Sequence, residues 1–159
     1  MNRALRTVSV HTGALLAVGL LAAPASAVGW YSASSPLKVK EKGVTQGGAY
    51  GAFYNAGNTY ARNKTVRKDF RPGGNGIYVD TRFSFLENSC TNTGGCTTEW
   101  KFSKHKETKR TTSGSWVRQT VDRTLSDEGS KARGAIHVCE DQSWSPDPCS
   151  PWTYPTFSY

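Results

Sequence analysis

Aliphatic residues are scarce in this chain. After the first 27 residues it holds 3 Leu, 2 Ile, 8 Val and 6 Phe, 19 of the remaining 132 of 159 residues. That lies under the roughly 20% at which disorder becomes a fair expectation. Twelve Trp and Tyr bring the total to 31. Each ring removes about 150–250 Å² from water when it is buried. The expected core is therefore aromatic rather than aliphatic. Long apolar runs are missing too. The longest, Ala14 to Ala23, has about 10 residues, and a spanning helix needs roughly 20. No heptad pattern, internal repeat or linker is present, so no second domain is expected.

The standard catalytic and binding signatures are also missing. There is no G-x-S-x-G elbow for a serine nucleophile. No Gly-Lys-Ser/Thr follows the glycine-rich stretches, which excludes a phosphate loop. Neither C-x2-C nor H-x3-5-H spacing occurs, so a zinc site is not expected. The D-x-D-x-D-G spacing of a calcium loop is absent. No cofactor and no metal are implied.

What is present begins at the N-terminus. Arg3 and Arg6 precede the apolar run, and Pro24 precedes Ala25-Ser26-Ala27, an A-x-A cleavage pattern. The segment resembles a bacterial general-secretion signal. Residues 1–27 are read as a cleaved signal helix and residues 28–159 as one secreted, extracellular domain. The two arginines are not adjacent, which does not indicate the twin-arginine route. Of 20 basic and 12 acidic residues, the signal removes two arginines and no acid, leaving a mature charge of +6. Such a charge gives weak attraction to anionic surfaces. It falls short of a dedicated nucleic-acid protein.

Export gives the four cysteines a meaning, since an even count in a small secreted chain implies disulfides. The local pairing, Cys90 with Cys96 and Cys139 with Cys149, is expected. Thr-Asn-Thr-Gly-Gly brings the first pair together, and two prolines stiffen the second loop. Each closure stabilises by about 2–3 kcal/mol in the chain-entropy model.

Period-two alternation dominates the mature chain. Leu37 and Val39 alternate with Lys38, Lys40 and Lys42, which suits an edge strand. Residues 43–51 are glycine-rich and read as irregular. Residues 49–55 and 59–70 read as extended segments joined by a turn at 55–58. Arg71-Pro-Gly-Gly-Asn-Gly76 is the strongest turn signal. Ile77, Val79, Thr81, Phe83 and Phe85 then face one way, and Tyr78, Asp80, Arg82 and Ser84 the other. Further strands are expected at 97–104, 115–124, 132–139 and 156–159, with a disulfide clamping the hairpin at 90–96. The fold class is all-β: an antiparallel β-sandwich or barrel of about eight short strands.

Functional candidates fall into three groups. Arg62, Lys64, Arg67 and Lys68, with Lys101, Lys104 and Lys106, would form a polyanion-binding patch if the two segments shared a face. Tyr54, Tyr60, Trp144 and Trp152 would offer stacking platforms for glycans. An assembled acid or histidine site would use His137 and carboxylates from Asp80, Glu87, Glu99, Asp122, Glu140 and Asp141. On the outward strand faces, Asp80 and Asp122 would pair with Arg82 or Arg118. His105, between Lys104 and Lys106, reads as part of a solvated loop. Asn63-Lys-Thr65 matches a glycosylation sequon but is discounted beside a bacterial-type signal.

The expected function is non-catalytic binding of an anionic or glycan polymer, or of a cell-envelope protein. The alternatives are a small extracellular hydrolase or toxin-like enzyme, and a structural or protein-interaction module. The exported protein is expected to begin at Val28. Intact-mass measurement of the protein recovered from a secreting host checks this, and retention of residues 1–27 would overturn it.

Overall fold

The computed structural model describes residues 27–159. Except for Ala27, the signal segment lies outside the described residues. Nine strands form in chain order: β1 (Val28–Trp30), β2 (Leu37–Glu41), β3 (Val44–Ala56), β4 (Tyr60–Asp69), β5 (Ile77–Cys90), β6 (Cys96–Glu107), β7 (Val117–Thr124), β8 (Gly129–Glu140) and β9 (Thr156–Ser158). They make two antiparallel sheets. In the first, β1 and β2 lie end to end along one side of β3, followed by β4 and β7. The second runs β6-β5-β8-β9. No described helix is long and apolar enough to cross a membrane.

Alternation sets which residues meet between the sheets. Phe53, Ala61 and Val121 of the first sheet pack with Val79, Phe83, Phe85, Ile136, Val138 and Phe157 of the second. Phe53 is central: its ring centroid lies 5.9 Å from that of Phe83 and 5.2 Å from that of Phe157. Asn63 links the sheets inside this core. Its Oδ1 accepts from Trp30 Nε1 at 3.0 Å, and its Nδ2 donates to Thr81 Oγ1 at 2.9 Å. The sequon asparagine is thus fully buried.

Three expectations need correction. Residues 44–51 are strand, not irregular, and only Gly43 stays in a turn, at φ 83°. The glycines are there for clearance: a Cβ on Gly47 would lie 2.5 Å from Ile77 Cγ1, and one on Gly51 would run into the Lys64 carbonyl. The strands are not uniformly short, since β3, β5, β6 and β8 have 13, 14, 12 and 12 residues. Bulges opposite Phe83/Ser84 and Leu86/Glu87, where β6 and β8 each carry one extra residue (Ser103 and Ser130), let the strands bend while β5 stays paired on both sides. His105 lies in β6, not in a loop. Because β6 is an edge strand, its alternation does not bury it, and Phe102 is 64% exposed.

Both disulfides have the expected local pairing, Cys90–Cys96 and Cys139–Cys149. Two disulfides suit an oxidising compartment. After Cys149 the chain runs back along β8 through isolated bridges at Cys139↔Cys149 and Ile136↔Thr153 before pairing as β9. Pro151 and Pro155 lack the N–H that a continuous ladder needs. The tail therefore touches β8 intermittently and places Trp152 and Tyr154 over the outer face of the second sheet.

Replacing Phe53 by Ala should cost about 3–5 kcal/mol, much of a total near 5–15 kcal/mol. Phe102→Ala should change stability by no more than about 0.5 kcal/mol. Denaturant unfolding of the two variants checks the contrast, and equal losses would contradict this core.

Candidate functional site

The densest group of ionisable side chains lies on the outer face of the second sheet, and strand register builds it. Asp80 on β5 is directly opposite Glu107 on β6 and His137 on β8. Arg82, two residues on, is opposite His105. His137 Nε2 lies 3.2 Å from Asp80 Oδ2. His105 Nε2 lies 3.3 Å from Glu107 Oε1 and 3.7 Å from Asp80 Oδ1. Arg82 Nε is 3.7 Å from Asp80 Oδ2. Two imidazoles and a guanidinium thus surround one carboxylate.

Aromatic rings frame the group. Trp152 stacks on His137 with centroids 3.5 Å apart and 15° between the planes. The Arg82 guanidinium lies 4.8 Å from the Trp152 ring centroid. Arg133 packs on Trp100 at 4.4 Å, with Tyr154 at 5.9 Å. Glu107 Oε2 accepts from Arg110 at 2.7 Å, and Arg110 covers the Tyr78 ring at 4.3 Å. Burial, and then the hydrogen bond to Asp147, raise the proton affinity of the Tyr78 hydroxyl. Asp80 was expected on an outward face. It is outward, yet its side chain is only 6% exposed and its Oδ1 has no hydrogen-bond partner.

This group is not shaped for one metal ion. Bonds of about 2.1 Å require donors within roughly 4.2 Å of one another. Among the described residues, His137, Cys139 and Cys149 are the set of such donors lying within 4.8 Å of each other. Their two sulfurs are bonded to one another, so no thiolate is available. The hydrogen bonds of His105 and His137 bring no Ser, Thr or Cys to either imidazole.

The other candidates are dispersed. Arg62, Lys64 and Lys68 face outward on β4 of the first sheet. Arg67 does not join them: at 2% exposed it points into the core, donating to the Lys109 carbonyl and to Gln119. Strand alternation puts odd and even residues of β4 on opposite sides. Lys101, Lys104 and Lys106 lie on β6 of the other sheet, and Lys101 Nζ is 3.5 Å from Glu87. Tyr54 and Tyr60 belong to the first sheet, Trp152 covers the second, and Trp144 is fully exposed in the disulfide loop. The four rings form no common platform. Asp122 pairs with Arg62 at 3.0 Å rather than with Arg118.

The outer face of the first sheet holds a different arrangement. Tyr50, Tyr54, Tyr60 and Trp116 share it with Arg62, Lys64, Lys68 and Arg118, as the paired registers require. Tyr50 and Trp116 meet edge to face at 5.1 Å, and Lys68 lies 5.9 Å from the Trp116 ring. A shallow depression of about 240 Å³ lies between Lys64 and Arg118. A larger cleft of about 530 Å³, lined by Glu87, Lys101, Arg123 and Asp127, opens between β6 and β7. Tyr50, Trp116 and Arg118 were not among the binding candidates read from the sequence. Alternation in 115–124 was visible, but the neighbouring strands were not. Compared with models of known families, with curated proteins and with solved structures, the chain matches none.

Glu140 gives a pH-dependent prediction. It is buried at the end of β8 and its Oε2 has no hydrogen-bond partner. Burial pushes its carboxyl above the usual range, and the charges of Glu41 and Asp69 push the same way, against the hydrogen bond from Gln142. The folded chain therefore holds this proton more tightly than the unfolded chain. Stability falls as pH rises from the ordinary glutamate range through the raised value. Glu140→Gln should raise the midpoint of thermal unfolding at pH 7, and the gain should shrink below about pH 4, near the unperturbed glutamate value. Calorimetry at the two pH values checks this, and an equal gain at both would contradict it.

Proposed function

We propose that this chain is a secreted β-sandwich module that binds anionic polymers through the outer face of its first sheet. One observation carries the reading: the outward strand positions of that sheet bring four cations together with four aromatic rings. The one acid among those positions, Asp122, is already bonded to Arg62. A flat array of this kind suits an extended chain. Lys and Arg meet its anionic groups, and the tyrosines and Trp116 present ring faces to its backbone. The mature charge of +6 supplies long-range attraction of the same sign. Lys101, Lys104 and Lys106 are left out of the binding face, because they lie on the other sheet.

Affinity for heparin, used as a soluble polyanion, should fall steeply from about 50 to 200 mM salt, as counterion release requires. The double variant Lys64→Glu/Lys68→Glu should lose most of it, while neutral dextran should bind neither protein. Titration calorimetry at several salt concentrations reads this. Salt-insensitive binding of dextran would favour a neutral glycan. Heparin binding unchanged in the variant would overturn this face as the site.

A further inference from the structure

We infer that the outer face of the second sheet carries a metal-independent RNA-cleaving site built from His105 and His137. The proposal goes beyond polymer binding and uses the opposite face of the molecule. The cluster's donor geometry excludes one shared ion, as shown above. No hydroxyl or thiol is held at either imidazole, so acyl transfer through an enzyme nucleophile lacks its first reactant. Paired-carboxylate glycoside chemistry is also a poor fit. Asp80 and Glu107 are each engaged by an imidazole and are not left free to flank a sugar. What remains is a reaction whose nucleophile is not an enzyme side chain: water, which would cut DNA as well as RNA, or a nucleophile carried by the substrate, which is the case proposed here. The 2′-hydroxyl of RNA is such a nucleophile, lying next to the phosphodiester it attacks.

The roles follow from the contacts. A carboxylate only accepts hydrogen bonds, so Asp80 fixes the Nε2–H tautomer of His137 and leaves Nδ1 as the unprotonated nitrogen of a ring that is 12% exposed. Trp152, stacked on the ring, holds its plane. In the proposed step, His137 Nδ1 takes the proton of the 2′-hydroxyl. The 2′-oxygen forms a bond to phosphorus, and the bond from phosphorus to the 5′-oxygen breaks. Protonated His105 donates a proton to that leaving oxygen. The products are a 2′,3′-cyclic phosphate and a free 5′-hydroxyl, with no co-reactant consumed. Arg82, half-exposed over Trp152, faces the non-bridging oxygens as charge builds there. Exposed Phe102 and Tyr154 are stacking surfaces for unpaired bases beside the site. Asp80 and Glu107 are positioning residues. Asp80 Oδ1 is buried without a hydrogen-bond partner, with His105 Nε2 at 3.7 Å. A substrate that is cut and released does not need the charge excess of a dedicated nucleic-acid binder.

The test uses the purified secreted chain with polyuridylate in the presence of EDTA, and polydeoxyuridylate as control. The RNA should be cut to fragments ending in cyclic phosphate, with a bell-shaped dependence of rate on pH, and the DNA should stay intact. His105→Ala and His137→Ala should each lower the rate about 100-fold or more. His105 is half-exposed on an edge strand, so its variant should keep the wild-type unfolding midpoint and separate chemistry from folding. Asp80→Asn should lower kcat and shift the pH profile, whereas Tyr154→Ala should raise KM alone. Cleavage abolished by EDTA, cleavage of the DNA control, or a wild-type rate equal to that of the double histidine variant would each overturn the proposal. Because Lys64→Glu/Lys68→Glu leaves this face untouched, failure of polyanion binding and failure of cleavage are read separately.

Discussion

The close approach of two sheets at Phe53 and Gly134 governs much of this molecule. A Cβ on Gly134 would lie 3.1 Å from two carbons of the Phe53 ring, tighter than ordinary van der Waals contact. With glycine there, Phe53 lies against β8 and touches Phe83 and Phe157 at once. A core this poor in leucine has few other ways to fill a gap of about 10 Å between sheets. Its rings are large, and large rings need small residues opposite. Gly47 against Ile77 and Gly51 against Trp30 repeat the arrangement within and between sheets. The glycines that weaken a strand in isolation are thus what lets aromatic residues build its core.

Packing then decides what the outer faces become. Among the described residues, the outward face of β3, β4 and β7 is bordered by Trp116, packed on Tyr50 and beside Lys68, and presents charge and rings together. The second sheet is partly roofed by the tail, which the Cys139–Cys149 bond and the Ser150 hydrogen bonds anchor to β8. Under that roof Asp80 becomes buried while still pointing away from the core. The Cys139–Cys149 bond therefore anchors the segment whose Trp152 stacks on His137 and lies beside Arg82.

The sequence made some of this legible. Alternation in 77–85 identified the inner face of β5, the local disulfides followed from spacing and export, and the lysines of 38–42 marked an edge. Glycine in 43–51 misled, because a residue chosen for clearance looks the same as one chosen for a turn. Arg67 misled as well, since a run of cations hides the alternation that sends every second side chain inward. The candidate sites were less visible than the fold. Asp80, His105, Glu107 and His137 are spread over 58 positions of chain and meet only through register. Two bulges, at Ser103 of β6 and Ser130 of β8, set that register, and a single sequence does not reveal bulges.

A purely structural account of the histidine cluster meets a difficulty in Asp80. Like charges directly across a strand pair destabilise, and Asp80 faces Glu107. A buried carboxylate also loses solvation unless its oxygens are bonded. Asn63 shows how this chain satisfies a buried polar group when only stability is at stake: both its oxygen and its nitrogen are bonded, to Trp30 and to Thr81. Asp80 is treated differently. Oδ2 meets His137, with Arg82 Nε at 3.7 Å, whereas Oδ1 meets nothing within hydrogen-bond distance and has His105 Nε2 at 3.7 Å. An asparagine or threonine would relieve the like-charge pairing without enlarging the side chain. The acid instead bonds one imidazole and stands beside a second, and it is on this arrangement that the proposed proton transfer rests.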